Sequence, residues 1–170
     1  NDNSIIVGKN QNTIEEINNE YVKAHGINVV RRLSGGGAVY HDLGNINFTF
    51  IMNAEKAETL NFRAFSVPVV KTLQKLGITA EQNGRNDITI DGRKFSGNAQ
   101  YLKHGRVMHH GTILFDSDLS IVAQSLKVSG DKIESKGLKS VQSRVTNVKE
   151  YLKDEISLQQ FKNLLKTYMF

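Results

Sequence analysis

Cysteine is absent from the chain, which also has no tryptophan and a single proline among its 170 residues. Without thiols the chain cannot form disulfides, thiolate metal sites or a cysteine nucleophile. No apolar run approaches the roughly 18 residues that a membrane-crossing helix needs. The start, NDNSIIVGKN, lacks the basic-then-apolar layout of a signal peptide. We therefore expect a cytoplasmic protein with no membrane partner.

The composition, 39% hydrophobic and 23% charged residues, is typical of one folded domain. The net charge of +5 suits anionic partners such as nucleotide phosphates, acidic proteins or nucleic acid, although an excess of this size often only solubilises a surface. The positive residues are scattered and no RNP motif or zinc finger is present, so nucleic acid is not the expected partner.

Short alternating or apolar runs predict strands, and helical spacing predicts helices between and after them. The strands are expected over 4–7, 28–33, 45–52, 87–90, 94–102 and 107–115. The helices are expected over 13–26, with a capping box from Thr13 to Glu16, and over 61–76, 118–126 and 157–169. The pair Asp91-Gly92 predicts a two-residue hairpin turn. Adjacent hairpins with few crossover helices indicate an α+β fold, an antiparallel or mixed sheet flanked by helices.

Three consecutive glycines stand between two predicted strands, in RRLSGGGAVYHDLGN over residues 31–45. Glycine loses more backbone entropy on folding than other residues, so such a run indicates unusual dihedrals or a ligand against the main chain. Bare amides there can bind an anion or a carboxylate. A flexible hairpin tip is the alternative interpretation. Neither a GxxxxGK[ST] loop nor a GxGxxG helix start is present, so any nucleotide site is of another kind.

The hairpin GRNDITIDGRKFSGNAQ, residues 84–100, places Asp87 on one arm and Lys94 on the other. Together they could supply a cation beside a phosphate and an oxygen ligand for Mg²⁺; the alternative is a solvated lysine. His109 and His110 are neighbours on a strand, so only one of them can face a given pocket, and a zinc site is not expected. Residues 129–147 are polar and too long for a common connection, which predicts a mobile loop.

Four ordered blocks resemble the lipoate-protein ligase family: RRLSGGGAVYHDLGN, GRNDITIDGRKFSGNA, HHGTILFDSDL and KGLKSVQSRVTNV. The resemblance implies a catalytic domain over residues 1–170 with a fold similar to biotin-protein ligases and class II aminoacyl-tRNA synthetases. We expect this domain to lack the family's first helix and strand and its C-terminal accessory domain.

The reaction implied by the resemblance is protein lipoylation for lipoate salvage. ATP, with Mg²⁺, activates lipoic acid to lipoyl-AMP, and a lysine of an acceptor protein then takes the lipoyl group. The implied acceptors are the lipoyl domains of 2-oxoacid dehydrogenase E2 subunits, the glycine cleavage H protein, or both.

The resemblance also assigns roles to residues. Lys94 is the essential electrostatic catalyst between the lipoate carboxylate and the α-phosphate, and Asp87 is a Mg²⁺ ligand. Lys136, Lys139 and Arg144 belong to a loop that covers the adenylate. The residues implied to bind lipoate or lipoyl-AMP are Arg32, Ser34, Gly35, Gly36, Gly37, Val39, Tyr40, His41, Asn45, Asn86, Gly97, His110 and Thr112.

Other functions stay open. Related octanoyl and lipoyl transferases share the first block, but those that move octanoyl groups use an acyl-enzyme on cysteine, which this chain cannot form. A biotin-type ligase would be expected to carry a GRGRxGR-like loop, which is absent. A non-catalytic lipoyl- or nucleotide-binding module would bind lipoyl-AMP without turnover, and a nucleic-acid-binding domain would show steeply salt-dependent affinity.

Overall fold

The computed structural model of the protein describes residues 2–54, 61–127 and 144–169. Within these ranges eight strands form two sheets. The smaller sheet contains β1 (Ser4–Val7), β2 (Asn28–Arg31) and β3 (Val39–His41) in the order β2-β1-β3. Strand β1 lies parallel to β2 and antiparallel to β3, so this sheet is mixed.

The larger sheet is antiparallel and has the order β4-β8-β7-β6-β5. Its strands are β4 (Asn45–Asn53), β5 (Ala80–Asn83), β6 (Asp87–Ile90), β7 (Arg93–Lys103) and β8 (Arg106–Leu114). The predicted turn between β6 and β7 is confirmed: Asp91 and Gly92 have φ of 50° and 74°, the positive values that a two-residue hairpin of this kind requires.

Five α-helices are described: α1 (Thr13–Glu16), α2 (Asn19–Ala24), α3 (Phe62–Lys75), α4 (Leu119–Ser125) and α5 (Leu158–Met169). A 3-10 helix covers Val148–Tyr151. The last three α-helices agree with the predicted helices. Asn61 caps α3, Asp118 caps α4, and the predicted capping box at the start of α5 forms between Ser157 and Gln160.

The predicted single helix over 13–26 is wrong. The chain is extended at Ile17, with φ −118° and ψ 148°, and Ile17 forms a bridge with Leu126. Ile17 is only 5% exposed, so burial against a distant segment interrupts the local helical tendency. The capping box from Thr13 to Glu16 is wrong too, because Asn12 is the N-cap residue of α1 and its side chain makes no capping hydrogen bond.

Two apolar cores hold the elements in place. Helices α3 and α5 cover one face of the larger sheet, where Leu73 and Phe161 pack with Phe95 and Ile113. The smaller sheet packs on α2 and α4 through residues such as Ile5 and Val122. The other face of the larger sheet, next to the smaller sheet, is therefore left to build a site. Of the helices described, none is long and apolar enough to span a membrane.

Candidate active site

A cleft of about 410 Å³ lies between the two sheets. The sequence-predicted residues that line it are Arg32, Gly36, Gly37, Val39, His41, Asn86, Lys94, Gly97, His110 and Thr112. A second depression, about 610 Å³ between α3 and β5, shares none of these residues and contains none of the predicted site. The cleft, not the larger depression, is therefore the candidate site.

The glycine loop, residues 34–37, is not a hairpin tip. Strands β2 and β3 pair with opposite edges of β1, so the loop passes over the end of that strand. The guanidinium of Arg32 donates hydrogen bonds to three carbonyl groups, those of Ile6 (2.9 Å), Gly35 (2.8 Å) and Gly37 (2.7 Å). Burial lowers the pKa of Arg32, but a guanidinium stays charged in proteins. Arg32 thus shapes the loop through its carbonyls.

Two glycines are needed for this shape. Gly36 has φ of +95°, which residues with a side chain rarely adopt, and a Cβ there would lie 3.0 Å from Nη2 of Arg32. Gly8 directly follows β1 and was not singled out from the sequence; a Cβ on it would lie 2.0 Å from the Gly36 carbonyl oxygen. Gly37 differs, because nothing lies within 4 Å of its Cβ position and it borders the cleft.

Lys94 and Asp87 meet as the hairpin predicted, with 2.8 Å between Nζ and Oδ1. The pairing of β6 with β7 shifts register between Ile88 and Thr89, which makes a bulge in β7. Residues three apart on a regular strand point to opposite faces, and a bulge changes this alternation. A Cβ on Gly97 would lie 3.1 Å from Nζ of Lys94. The bulge and the missing side chain at position 97 together give the ammonium its place in the cleft.

The backbone of Lys94 is held from a second side. Its N–H donates to the carbonyl of Arg144 (2.8 Å), and its carbonyl accepts from the N–H of Thr146 (3.0 Å). Thr146 is fully buried, so the end of the predicted loop, 129–147, is packed into the fold. The Arg144 side chain is exposed. Lys136 and Lys139 lie outside the described residues.

Asn86 is held by reciprocal bonds with Asn98, a residue that the sequence did not single out for a role. The Asn86 carbonyl accepts from the backbone N–H of Asn98 (2.9 Å) and from its side-chain Nδ2 (3.0 Å). The Asn86 side chain donates to the Asn98 carbonyl at 3.3 Å. These bonds fix the start of β6, where Asp87 follows.

A hydrogen bond between the glycine loop and β8 crosses the site. Ser34 Oγ lies 2.6 Å from Nε2 of His110, and Ser34 is 1% exposed. Burial, and next the charge of Arg32, lower the pKa of His110. Burial also lowers the pKa of His41, to about 4, and Nε2 of this ring is buried without a hydrogen-bond partner. Both rings are neutral at pH 7 and offer hydrogen bonds without charge.

The remaining predicted residues support the site without lining the cleft. Tyr40 is 3% exposed and packs in the core of the smaller sheet. Burial is the main cause that raises its pKa to about 12. Asn45 is buried and donates to Asn47 Oδ1 at 2.8 Å. Asn47 and Thr49 follow at alternate positions of β4 and do line the cleft. This alternation of polar residues was a signal in the sequence that could have identified them.

The donor set fits a divalent cation only in part. Among residues 2–54, 61–127 and 144–169, no group of three His, Asp or Glu side chains is placed to hold a metal ion. Asp87 supplies one carboxylate beside the cleft. Mg²⁺ in nucleotide sites commonly takes one or two carboxylates together with phosphate oxygens and water, so Asp87 fits as one ligand of a nucleotide-bound ion.

The chain belongs to the lipoyl protein ligase A/B catalytic domain family, whose model it matches over residues 1–170. It is 56% identical over 167 residues to the lipoate-protein ligase LplJ of Bacillus subtilis, covering 98% of this chain and 50% of that protein. It is 52% identical over 167 residues to lipoate-protein ligase 1 of Staphylococcus aureus, covering 98% and 51%. The chain thus spans about half the length of these relatives.

Solved structures agree with the fold. A bipartite lipoate protein ligase of Thermoplasma acidophilum, described with its E2 lipoyl domain, has a TM-score of 0.87 and 35% identity over 98% of this chain and 66% of that one. A lipoate-protein ligase A bound with ATP has a TM-score of 0.82 and 32% identity over 96% and 66%. The biotin protein ligase of Aquifex aeolicus, with a TM-score of 0.52 and 15% identity over 74% and 51%, shares the fold alone. The class II synthetase-like fold is confirmed.

Proposed function

We propose that this chain is the catalytic part of a lipoate-protein ligase, which activates lipoate with ATP and passes the lipoyl group to a protein lysine. The observation that carries the proposal is the Lys94 ammonium, which Asp87 holds at 2.8 Å beside a cleft shared with the glycine loop. A cation on one wall and exposed glycine backbone on the other suit a reaction between two anions.

In the first step, a carboxylate oxygen of lipoate attacks the α-phosphorus of ATP and pyrophosphate leaves. Both reactants are negative, so Lys94 between them lowers their repulsion and stabilises the pentavalent transition state. The glycine loop lets the acyl and phosphate groups lie against backbone. Because its guanidinium already donates to two loop carbonyls, those of Gly35 and Gly37, and to the Ile6 carbonyl of β1, Arg32 acts mainly by holding this loop in shape.

Around the nucleotide, Val39, His41 and Thr112 contact the bound adenylate. Tyr40 and Asn45 support them from behind. The unpartnered Nε2 of His41 supports this, since a buried polar atom without a partner is costly and a ligand would satisfy it. Asp87 would hold Mg²⁺ as one oxygen ligand, and the ion would neutralise phosphate charge when bound with ATP. Lys136, Lys139 and Arg144 would cover the adenylate.

In the second step, the amine of an acceptor lysine attacks the carbonyl carbon of lipoyl-AMP, an amide forms and AMP leaves. The mixed anhydride is already activated, so no covalent acyl-enzyme is needed and the absence of cysteine is consistent with the chemistry. The acceptors proposed are lipoyl domains of E2 subunits and the glycine cleavage H protein. The similar Thermoplasma ligase, described with its E2 lipoyl domain, supports the first of these.

The test separates the two steps. The chain is incubated with ATP, MgCl₂ and lipoate, and pyrophosphate release is followed; in parallel it receives synthetic lipoyl-AMP and a lipoyl domain, whose mass is measured. Activity in both arms is the expected result. Transfer from lipoyl-AMP without pyrophosphate release would limit the proposal to the second step. Saturable binding of lipoyl-AMP without either activity would identify a non-catalytic binding module instead.

A further inference from the structure

Behind the site, on the helix-covered face of the larger sheet, lies a polar group that the proposed reaction does not use. His109 is fully buried, and its ring stacks on Phe65 of α3 with centroids 4.5 Å apart and an interplanar angle of 9°. Its Nε2 lies 3.2 Å from Oδ1 of Asn98, and its Nδ1 lies 3.0 Å from Nε2 of Gln100. Both ring nitrogens are therefore engaged inside an otherwise apolar layer.

The direction of these hydrogen bonds follows from one backbone group. The carbonyl of Asn86 can only accept, so the group that Asn98 presents to it at 3.0 Å must be the NH₂. The Asn98 oxygen then faces His109 and can only accept, so Nε2 of the ring carries the proton. Nδ1 is left as an acceptor, and Gln100 donates to it. The order of donors thus runs from Gln100 through His109 and Asn98 to the Asn86 carbonyl.

The sheet provides the space for this arrangement. Asn98 on β7 pairs with Gly111 on β8. A Cβ on Gly111 would lie 2.3 Å from the Asn98 oxygen and 2.5 Å from Cζ of Phe48. Only glycine at position 111 lets the Asn98 side chain cross to the histidine. Asn98 itself is 7% exposed, so its amide cannot exchange these partners for bulk water.

The end of the chain of bonds is the peptide between Asn86 and Asp87. Two donors on the Asn86 carbonyl fix the plane of that peptide. They thereby fix the direction in which the Asp87 side chain leaves the backbone. Asp87 in turn holds Lys94. We propose that His109 is a positioning residue that, through Asn98 and the Asn86 carbonyl, holds the Asp87–Lys94 pair in the cleft from behind the sheet.

This inference rests on the proposed adenylation, so its test has one arm that needs no activity. His109→Phe keeps an aromatic ring against Phe65 and removes both hydrogen bonds. In the free protein, we expect this variant to shift the NMR resonances of the Asp87 amide and the Lys94 ammonium. The control, Phe65→Leu, weakens the ring stack and leaves the hydrogen bonds; it should lower the melting temperature without moving those two resonances.

The second arm measures kcat and KM for pyrophosphate release. His109→Phe should lower kcat roughly tenfold, the order expected when one hydrogen bond that orients a catalytic group is lost, with KM for lipoate nearly unchanged. Phe65→Leu should keep kcat. In a double-mutant cycle, His109→Phe should not lower kcat further in a chain that already carries Asn98→Leu, because Asn98→Leu has already removed the hydrogen bond between the two residues.

The outcomes are distinguishable. A wild-type chain without pyrophosphate release contradicts the proposed adenylation step, and the NMR arm still decides this inference. Unchanged Asp87 and Lys94 resonances in His109→Phe would overturn it. So would an equal fall of kcat in Phe65→Leu, or independent, multiplying effects of His109→Phe and Asn98→Leu, since either result would make His109 a packing residue only.

Discussion

Lys94→Ala removes the ammonium beside the cleft and leaves Asp87 at its edge without a partner. The two side chains are 38% and 35% exposed, so their pair is partly solvated. Pairs of this kind contribute about 0.2–1 kcal/mol to folding. The variant should therefore fold, and its free energy of unfolding in urea should fall by no more than about 1 kcal/mol.

The effect on the proposed adenylation is larger. One electrostatic contact to the charge that develops in the transition state is worth about a hundredfold or more in rate, or roughly 2.7 kcal/mol. Removing Lys94 also restores the repulsion between lipoate and the α-phosphate. We expect pyrophosphate release to fall by at least about a hundredfold. Expressed as free energy, this loss is several times the expected loss in folding stability.

The chain offers a matched control in Lys149, whose ammonium lies 2.7 Å from Asp116, with side chains 39% and 54% exposed. This pair is similar in geometry and lies outside the cleft. Lys149→Ala should leave pyrophosphate release at the wild-type rate and barely change the urea midpoint. Near wild-type release by Lys94→Ala, or equal losses in the two variants, would refute the catalytic assignment of Lys94.

Three further predictions concern space and charge around the site. Gly97→Ala should lower pyrophosphate release at least tenfold with little loss of stability, because its methyl group would displace Lys94 Nζ, 3.1 Å from the Cβ position. Gly37→Val should weaken lipoate binding, measured by calorimetry, because its side chain would enter open cleft space. The free energy of unfolding should fall as the pH drops from 6.5 toward 4, because burial lowers the pKa of His41 and His109 to about 4. The unfolded chain binds protons at these two rings at a higher pH than the folded chain does. Each ring should therefore lower the free energy of unfolding by roughly 2 kcal/mol between pH 7 and pH 5.

Each of these has a clear contrary result. Gly97→Ala with wild-type turnover would mean that the ammonium moves freely and that its position is unimportant. Unchanged lipoate affinity in Gly37→Val, with the circular dichroism spectrum retained, would place the acyl group elsewhere. For the pH dependence, His109→Phe should remove part of the loss in the urea titrations; an identical pH profile in this variant would show that other groups cause it.

The parts of the fold that depend on local chemistry were predictable from the sequence. The turn at Asp91-Gly92 needs positive φ at both positions, and the apolar residues of α3 recur at helical spacing. Strand β5, with the sequence AEQN, has no apolar alternation, and β3 has three residues, so neither was predicted. The helix over 13–26 failed because Ile17 pairs with a residue far along the chain, which no local pattern shows.

The site residues also fall into those whose positions were predictable from the sequence and those whose positions were not. Asp87 and Lys94 lie on the two arms of one hairpin, so their meeting followed from the turn between them. The sequence could not predict that Lys94 and Gly97 share a face, because this depends on a bulge in the pairing of β6 with β7. The contact between Asn98 and His109 joins two strands, and polar residues in a predicted core face give no sign of their partners.

The geometry of the cleft depends on residues that no ligand would touch. The glycine loop belongs to the smaller sheet and Lys94 to the larger one, so the joint between the sheets sets their separation. At that joint Asp42 accepts hydrogen bonds from Gly44 and Asp118, and a Cβ on Gly44 would lie 2.0 Å from the Asp116 carbonyl oxygen. A misplacement of about 1 Å between reacting groups can cost a hundredfold in rate. Asp42 and Gly44, in the same block as the glycines, therefore matter for the proposed reaction through position alone: they hold one wall of the site at a fixed distance from the other.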